Sequence, residues 1–225
     1  MKTLIFDTCF NKTYIVLREN DNILFSKNIV STDENYHSAY LIPEIRNILK
    51  ANNILIKDLD TIGVNIGPGS FTGIRAGITI ARVLCQQAEL KLVGIESLRI
   101  LSKLNTTKNN SIVLTDARKN KVYLAVYDCN GNAIIKPKLE EKDKITEYID
   151  KDIFVITDNS IGNYLKELNI QSMQFEENDN DFGLYLSNIV YSELNNTKDD
   201  FHWAKVKPLY IQQPSISKPK ELKNV

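Results

Sequence analysis

The stretches TLIFDT (residues 3–8) and SIVLTDARKN (residues 111–120) open the two halves of the chain in the same way. Each is an apolar run typical of a β-strand, and each ends near an aspartate, Asp7 in the first half and Asp116 in the second. Two more predicted strands follow each run, at residues 13–20, 23–30, 121–128 and 132–140. The sequence therefore predicts an internal duplication in which each copy begins with three strands.

A helix, a strand and a helix follow the three strands in each half. In the first half we predict helices at Glu34–Ala51 and Thr72–Glu89, a strand between them at Thr61–Ile66, and a closing strand at residues 91–97. In the second half we predict a helix near Lys142–Ile149, a strand at residues 153–158, and helices near Ile161–Leu168 and Phe182–Leu194.

We therefore expect an α/β fold with two lobes, each a βββαβα unit with a mixed sheet. The polar stretch SKLNTTKNNS separates them, which predicts an N-terminal lobe at residues 1–103, a smaller and divergent C-terminal lobe at residues 110–215 and a flexible tail at residues 216–225. An aspartate after the first strand of each lobe is typical of the actin, sugar kinase and Hsp70 superfamily, in which ATP lies between the lobes. Such a fold does not by itself transfer that activity.

The turns after the two first strands decide whether a nucleotide is expected. Asp7, Thr8, Asp116 and Arg118 are the candidate residues of a degenerate nucleotide cleft. A phosphate-binding turn needs glycine so that backbone N–H groups approach the phosphate. Both turns lack glycine, and the second is crowded by basic side chains. Aspartate at a strand end is also a common turn residue, so a catalytic and a structural interpretation of Asp7 and Asp116 both remain open.

GPGSFTGIR (residues 67–75) has the order strand, glycine turn, helix that cradles phosphates in nucleotide-binding folds. It lacks the Gly-Lys-Ser/Thr ending of a Walker A motif and the G-x-G-x-x-G spacing. It also lacks the glycines that flank the serine of a nucleophile elbow. The pattern is thus a weak phosphate signal, and a tight turn capped by Ser70 or Thr72 explains it equally well.

The helix behind this loop carries small residues at every fourth position, namely Gly69, Gly73, Gly77, Ala81 and Cys85. Glycine inside a helix costs about 1 kcal/mol relative to alanine, so the glycines need a structural reason. A stripe of small side chains lets another helix approach closely. That helix belongs either to the same chain, at Glu34–Ala51, or to a second protein, and the sequence allows both.

Charge and composition argue against several classes of protein, namely independent RNA-binding, membrane-spanning, secreted and metal-binding proteins. The chain has 28 lysines and arginines against 28 aspartates and glutamates, so any contact with tRNA is expected only through a complex. No apolar run is long enough for a membrane span, and Asp7 and Asn11 interrupt the region where a secretory signal would lie. Three scattered cysteines fit a reduced, cytoplasmic location. His37 has Leu41 rather than histidine at the metal-pair spacing, so no metal site is expected.

The chain resembles the TsaB family, the bacterial accessory proteins of tRNA threonylcarbamoyladenosine synthesis. The resemblance covers almost the whole chain. It rests on GPGSFTGIRAG, on YHSAYLIPEI upstream, on DARKNKVY midway and on KPLYIQ near the end. One family residue is missing, because the P-x-Y-x-R motif ends here in Gln212 instead of arginine. Related proteins once carried a glycoprotease-like label, but the residues of this chain give a metallopeptidase no support.

The resemblance implies a non-catalytic subunit without a tightly bound cofactor. Its partner would be the paralogue TsaD, which holds ATP and a metal and modifies the tRNA adenosine 3′ of the anticodon. The ATPase TsaE would join the larger complex, and the chain would pair with itself when alone. The implied interface lies on the first two helices, at Tyr36, His37, Tyr40, Leu41, Phe71, Thr72, Gly73, Arg75, Ala76, Gly77, Ile80, Ala81 and Leu84. The alternative function is an independent ATPase or small-molecule kinase of the actin-like fold.

Overall fold

The first half of the chain forms five strands and three α-helices in the computed structural model, which describes residues 1–30, 37–176, 181–197 and 199–212. The strands are β1 (Lys2–Asp7), β2 (Lys12–Glu19), β3 (Asn22–Val30), β4 (Thr61–Gly67) and β5 (Lys91–Glu96). The helices are α1 (His37–Ala51), α2 (Phe71–Ala88) and α3 (Ser97–Ser102). A 3₁₀ helix covers Ile56–Asp58.

The second half repeats this pattern with shorter elements. Its strands are β6 (Ser111–Arg118), β7 (Lys121–Tyr127), β8 (Ala133–Glu141), β9 (Phe154–Thr157) and β10 (Met173–Gln174). Its α-helices are α4 (Asn159–Glu167) and α5 (Phe182–Asn196). Two 3₁₀ helices cover Lys142–Tyr148 and Trp203–Lys205.

The two sheets have the same strand order, which confirms the duplicated, two-lobed α/β fold of the actin-like class. The first sheet runs β3-β2-β1-β4-β5 and the second β8-β7-β6-β9-β10. In both sheets the first three strands are antiparallel, and the fourth lies parallel to the first. Each parallel pair needs a crossover, which α1 supplies in the first sheet and the 3₁₀ helix at Lys142–Tyr148 in the second.

The prediction differs from the structure at two helices, in both cases because of their length. The segment predicted as a helix near Lys142–Ile149 is a seven-residue 3₁₀ helix, a form common in such short pieces. The short helix α3 is absent from the prediction, because six residues are too few to show a helical period. The start of the helix predicted at Glu34 lies outside the described residues.

Both faces of the first sheet are buried, and the apolar residues of its strands alternate between them. Leu4, Phe6 and Val64 belong to one hydrophobic cluster with α1 and α2. Ile5 and Val16 point to the other side, into a second cluster that contains α3, α5 and residues of the second sheet. A third cluster fills the far face of the second sheet. The layers are thus helices, sheet, helices, sheet, helices.

Helix α5 joins the halves, because it follows the second sheet in sequence but packs against all five strands of the first. The buried Arg18 of β2 fixes this contact. Its Nη1 donates to the backbone oxygen of Ser187 at 2.9 Å and to the Ser187 hydroxyl at 3.0 Å, and its guanidinium lies 4.3 Å from the ring centre of Tyr191. Burial lowers the pKa of Arg18 from its ordinary value, but the cation keeps charge-assisted hydrogen bonds.

Residues 199–212 also return to the first sheet, although the sequence assigned residues 110–215 to the second lobe. The Leu92 N–H donates to the Phe201 oxygen at 2.8 Å, and the Leu209 N–H donates to the Ile66 oxygen at 2.9 Å. Between these bonds, the Trp203 ring lies 5.7 Å from the guanidinium carbon of Arg82 on α2. This segment therefore lies along the outer edge of β5 and pairs with that edge at Leu92.

We predict that Arg18→Met lowers the free energy of unfolding by about 2–4 kcal/mol, because it leaves the buried oxygens of Ser187 without their donor. Chemical denaturation followed by circular dichroism measures the loss. The matched control is Arg46→Met on the exposed side of α1, which should change stability by less than about 0.5 kcal/mol. Equal losses in the two variants would contradict the role assigned to Arg18.

Candidate functional site

The Asp7 carboxylate at the end of β1 is fully buried and already hydrogen-bonded. Its Oδ1 accepts the backbone N–H of Cys9 at 2.6 Å, and its Oδ2 accepts the side-chain amide of Asn65 at 2.8 Å. Asn65 Oδ1 in turn accepts the Gly67 N–H and the Ser97 hydroxyl, both at 2.9 Å. This network joins β1, β4 and α3, so Asp7 acts as a structural carboxylate.

The Cys9 thiol beside it is an unreactive buried group. Its Sγ donates to the backbone oxygen of Asn65 at 3.3 Å. Burial raises the pKa of Cys9 well above its ordinary value, and the negative charge of Asp7 raises it further. Because the thiolate is the nucleophile, burial and the raised pKa both disfavour a covalent reaction at Cys9.

The three glycines at the start of α2 and just before it let the turn between β1 and β2 lie against the helix. A Cβ atom on Gly73 would overlap the backbone oxygen of Thr8. On Gly77 it would lie 2.6 Å from Thr8 Oγ1, and on Gly69 2.6 Å from the oxygen of Cys9. The Thr8 hydroxyl donates to the Gly73 oxygen at 2.7 Å. At its three glycines the stripe is therefore approached by a turn of the same chain rather than by a helix, while α2 also contacts α1.

The same contact accounts for the phosphate-like loop. The Ser70 N–H donates to the Cys9 oxygen at 2.9 Å, and the Gly73 N–H donates to the Ser70 hydroxyl at 3.2 Å. The Cys9 N–H donates to Asp7, so all three of these backbone N–H groups already have acceptors within the chain. The residues of this turn therefore do not fit a phosphate group.

The second turn differs from the first, since Asp116 is exposed. Its carboxylate accepts the N–H of Arg118 at 3.0 Å, and its N–H donates to Asp158, which caps α4. Arg118, Lys119 and Asn120 all have positive φ, between 52° and 62°, which turns the hairpin sharply. The two aspartates predicted for one cleft thus have different surroundings. Binding of a nucleotide by Asp7, Thr8, Asp116 and Arg118 stays a prediction.

The outer side of α2 carries an exposed face, which we call the docking face. It comprises Phe71, Thr72, Arg75, Ala76, Thr79, Ile80 and Val83. All of these except Val83 line a shallow groove of about 480 Å³. The Arg75 guanidinium lies 5.2 Å from the Phe71 ring centre, and the Tyr210 ring centre lies 5.5 Å from that same centre. On α1, Tyr40 and Ile42 are also exposed.

Four residues of the predicted interface require correction. Leu41, Gly73, Gly77 and Ala81 are buried by this chain's own residues, so they are not part of its surface. The exposed residues Phe71, Thr72 and Arg75, and the half-buried Ala76, Ile80 and Leu84, lie at the surface of α2. Tyr36 and the side chain of His37 lie outside the described residues.

Four exposed residues near this face, Thr79, Val83, Ile42 and Tyr210, are not among the individually predicted interface residues. A signal for the first two exists, because Phe71, Arg75, Thr79 and Val83 recur every four residues, two positions after each small residue. Two residues turn a helix by about 200°, so these positions lie opposite the glycines. The ring contact of Tyr210 with Phe71 has no such signal in the sequence.

Two features are absent from the part of the chain that the structure describes. Its histidines, cysteines, aspartates and glutamates include no cluster of three or more that could hold a metal ion. Its helices include none that is long and apolar enough to cross a membrane.

The sequence model of the family described as "TsaD: tRNA N6-adenosine threonylcarbamoyltransferase" matches residues 28–180, more than half of the chain. The chain belongs to this family. The resemblance to TsaB proteins is confirmed by curated relatives with that name. The Escherichia coli K12 protein is 33% identical over 115 residues, which cover 46% of this chain and 50% of that protein. The Bacillus subtilis protein is 30% identical over 128 residues, which cover 56% and 55%.

The chain spans about half the length of the first curated relatives that it matches. A TsaB protein of Buchnera aphidicola from Baizongia pistaciae is matched more fully, at 25% identity over 95% of this chain and 99% of that protein. Among solved structures, a Pseudomonas aeruginosa protein described as similar to peptidase YeaZ has a TM-score of 0.76 at 16% identity, covering 94% of this chain and 99% of that one. At this identity the likeness shows the fold.

We predict that Gly73→Ala lowers the free energy of unfolding by about 3 kcal/mol, because the added methyl group overlaps the backbone of Thr8. The sign of the change in stability is diagnostic, since replacing glycine by alanine in a helix normally stabilises the protein by about 1 kcal/mol. Thermal and chemical denaturation measure the change. Thr79→Ala on the docking face is the matched control and should stay within about 0.5 kcal/mol. A Gly73→Ala protein as stable as the parent would refute the close contact.

Proposed function

We propose that the chain is a non-catalytic scaffold subunit that binds and activates the TsaD transferase in threonylcarbamoylation of the tRNA adenosine 3′ of the anticodon. The docking face of α2 carries this proposal. The family membership of the chain, together with relatives named as tRNA threonylcarbamoyladenosine biosynthesis proteins, supports a role in that pathway. The partner would hold ATP and the metal, and tRNA would be contacted through the complex.

The composition of the docking face suits a protein partner. Phe71 is 42% exposed and Val83 51%, and on α1 Ile42 is 57% exposed. Aromatic residues and arginine are the side chains that most often anchor protein interfaces. Here the Phe71 ring contacts both Arg75 and Tyr210, and these contacts within the chain restrict its motion before a partner arrives. A preformed anchor reduces the entropy lost on association.

The surroundings of Asp7 favour a scaffold over the alternative, an independent ATPase or kinase. Its carboxylate is buried and bonded to Cys9 and Asn65, and the adjacent turn lies against α2 where a phosphate would bind. Tight, magnesium-dependent binding of ATP by the isolated chain would count against this proposal. Self-association through the docking face and addition of TsaE to the complex are further parts of the proposal.

The deciding experiment is threonylcarbamoyl transfer to tRNA in a reconstituted mixture that contains TsaD, with and without this chain. We expect transfer to be lost when the chain is omitted, and the chain alone to transfer nothing. Transfer that is unchanged on omission would refute the scaffold role. Transfer by the chain alone would refute the absence of catalysis.

We predict that Phe71→Ala weakens association with TsaD by roughly 30-fold or more, because it removes the exposed aromatic anchor of the face (about 2 kcal/mol). The variant should keep its circular dichroism spectrum and unfolding temperature. Calorimetric titration of TsaD measures the affinity. Ile134→Ala is the matched control, since Ile134 is 56% exposed on β8 of the second sheet. Weakening by Ile134→Ala and not by Phe71→Ala would place the interface elsewhere.

A further inference from the structure

A cavity of about 510 Å³ lies between the outer edge of β5 and the segment 199–209. Its volume is within the range of small-molecule sites. The lining has an apolar part, formed by residues such as Leu92, Val206 and Pro208, and a charged part. None of its residues belongs to the docking face, so its role is independent of the proposed scaffold function.

The backbone of β5 offers hydrogen-bonding groups to this cavity. Successive residues of a strand direct their N–H and C=O groups to opposite sides. The Lys91 N–H donates towards β4, to the oxygen of Asp60, and the Leu92 N–H donates outward, to Phe201. Gly94 therefore also directs its N–H and C=O outward, and within the described part of the chain neither has a hydrogen-bond partner outside the sheet.

The returning segment leaves this edge open because of its conformation at Phe201. This residue has a φ of 48°, a left-handed conformation that a bulky side chain seldom adopts. It turns the chain away from β5 after one hydrogen bond, and the 3₁₀ helix at Trp203–Lys205 follows at once. A continued strand would have paired with Gly94, and the cavity lies where that strand would run.

Most charged side chains of the lining are already paired. Arg99 Nη2 lies 2.6 Å from Glu193 Oε1, and Lys205 Nζ lies 4.0 Å from Asp199 Oδ1 and 2.7 Å from Asp200 Oδ1, just outside the lining. The remaining two are Glu96 and Lys207, which have no ion pair or side-chain hydrogen bond among the described residues. The cavity thus presents one unpaired carboxylate and one unpaired ammonium group together with an amide donor and acceptor.

The charges select the class of ligand. Three cationic and three anionic side chains line the cavity: Arg99, Lys205, Lys207, Glu96, Glu193 and Asp199. A simple anion would meet the carboxylates, and a simple cation would meet the basic groups. A zwitterion satisfies both unpaired charges, with its carboxylate at Lys207 and the Gly94 N–H and its ammonium group at Glu96 and the Gly94 oxygen. The apolar part of the lining accommodates an aliphatic side chain.

We propose that the cavity beside β5 is a binding site for a free α-amino acid with an apolar side chain, held by Glu96, Lys207 and the backbone of Gly94.

The test is an NMR titration of the ¹⁵N-labelled full chain with L-leucine. We expect saturable shifts at residues 92–96 and at Lys207. N-acetyl-leucine lacks the ammonium group and leucinamide lacks the carboxylate, so each should bind at least about tenfold more weakly than L-leucine. No saturable shift with L-leucine, or equal affinity for the three compounds, would overturn the proposal.

Two variants assign the charges. Glu96→Gln should weaken the binding of L-leucine about tenfold or more. It should leave the binding of N-acetyl-leucine unchanged, because that compound has no ammonium group to lose a partner. Lys207→Met should weaken the binding of L-leucine and leave the binding of leucinamide unchanged, because leucinamide lacks the carboxylate. Lys136→Met, at an exposed position on β8, is the matched control and should bind L-leucine like the parent. If either site variant binds L-leucine as well as the control does, that residue does not hold the ligand.

Discussion

The backbone of the turn between β1 and β2 lies directly on α2, and the arrangement of the first lobe depends on this contact. Only glycine at positions 69, 73 and 77 leaves room for Thr8 and Cys9, and the hydroxyl of Thr8 then bonds to the oxygen of Gly73. The contact fixes the rotation of the helix about its axis. Because Phe71 and Arg75 lie about 200° from the glycines, the same contact that buries one side of α2 exposes the other. The same contact thus determines both the internal packing of this helix and the residues that it exposes.

The Asp7 network extends this constraint to the rest of the lobe. Asp7 holds the turn through Cys9 and holds β4 through Asn65, and Asn65 accepts the hydroxyl of Ser97 at the start of α3. A buried carboxylate is costly unless its charge is met by hydrogen bonds, and the amides around it meet that need. An aspartate in the position used for nucleotide chemistry in related folds is therefore explained here by packing. Its counterpart Asp116 has the same place in the topology, but its carboxylate is exposed and bonds the backbone of its own turn.

Much of the fold could be predicted from the sequence, because strands and long helices leave periodic patterns. The duplicated succession of strands along the chain, α1, α2 and α5 follow from those patterns, with small shifts at the described ends. The return of α5 to the first sheet could not be predicted, because Arg18 and Ser187 are 169 positions apart and neither carries a mark of its partner. The site was predictable in part. A stripe of small residues indicates that another segment approaches closely. It does not show whether that segment is a turn or a helix, because both need the same absence of side chains. A turn of the same chain therefore occupies the stripe at its glycines, and the assignment of a partner interface to α2 stays a prediction.

The two halves show why function must be argued from sites even within one chain. They share a strand order and a position for the aspartate, but different contacts surround each copy. In the first half, α2 begins with glycines and admits the turn, so the loop that resembles a phosphate site is filled by protein. In the second half, the turn is formed by three residues with positive φ and lies open. A loop shape therefore identifies a place where backbone donors converge, and only the atoms that already occupy those donors decide whether a ligand can bind there.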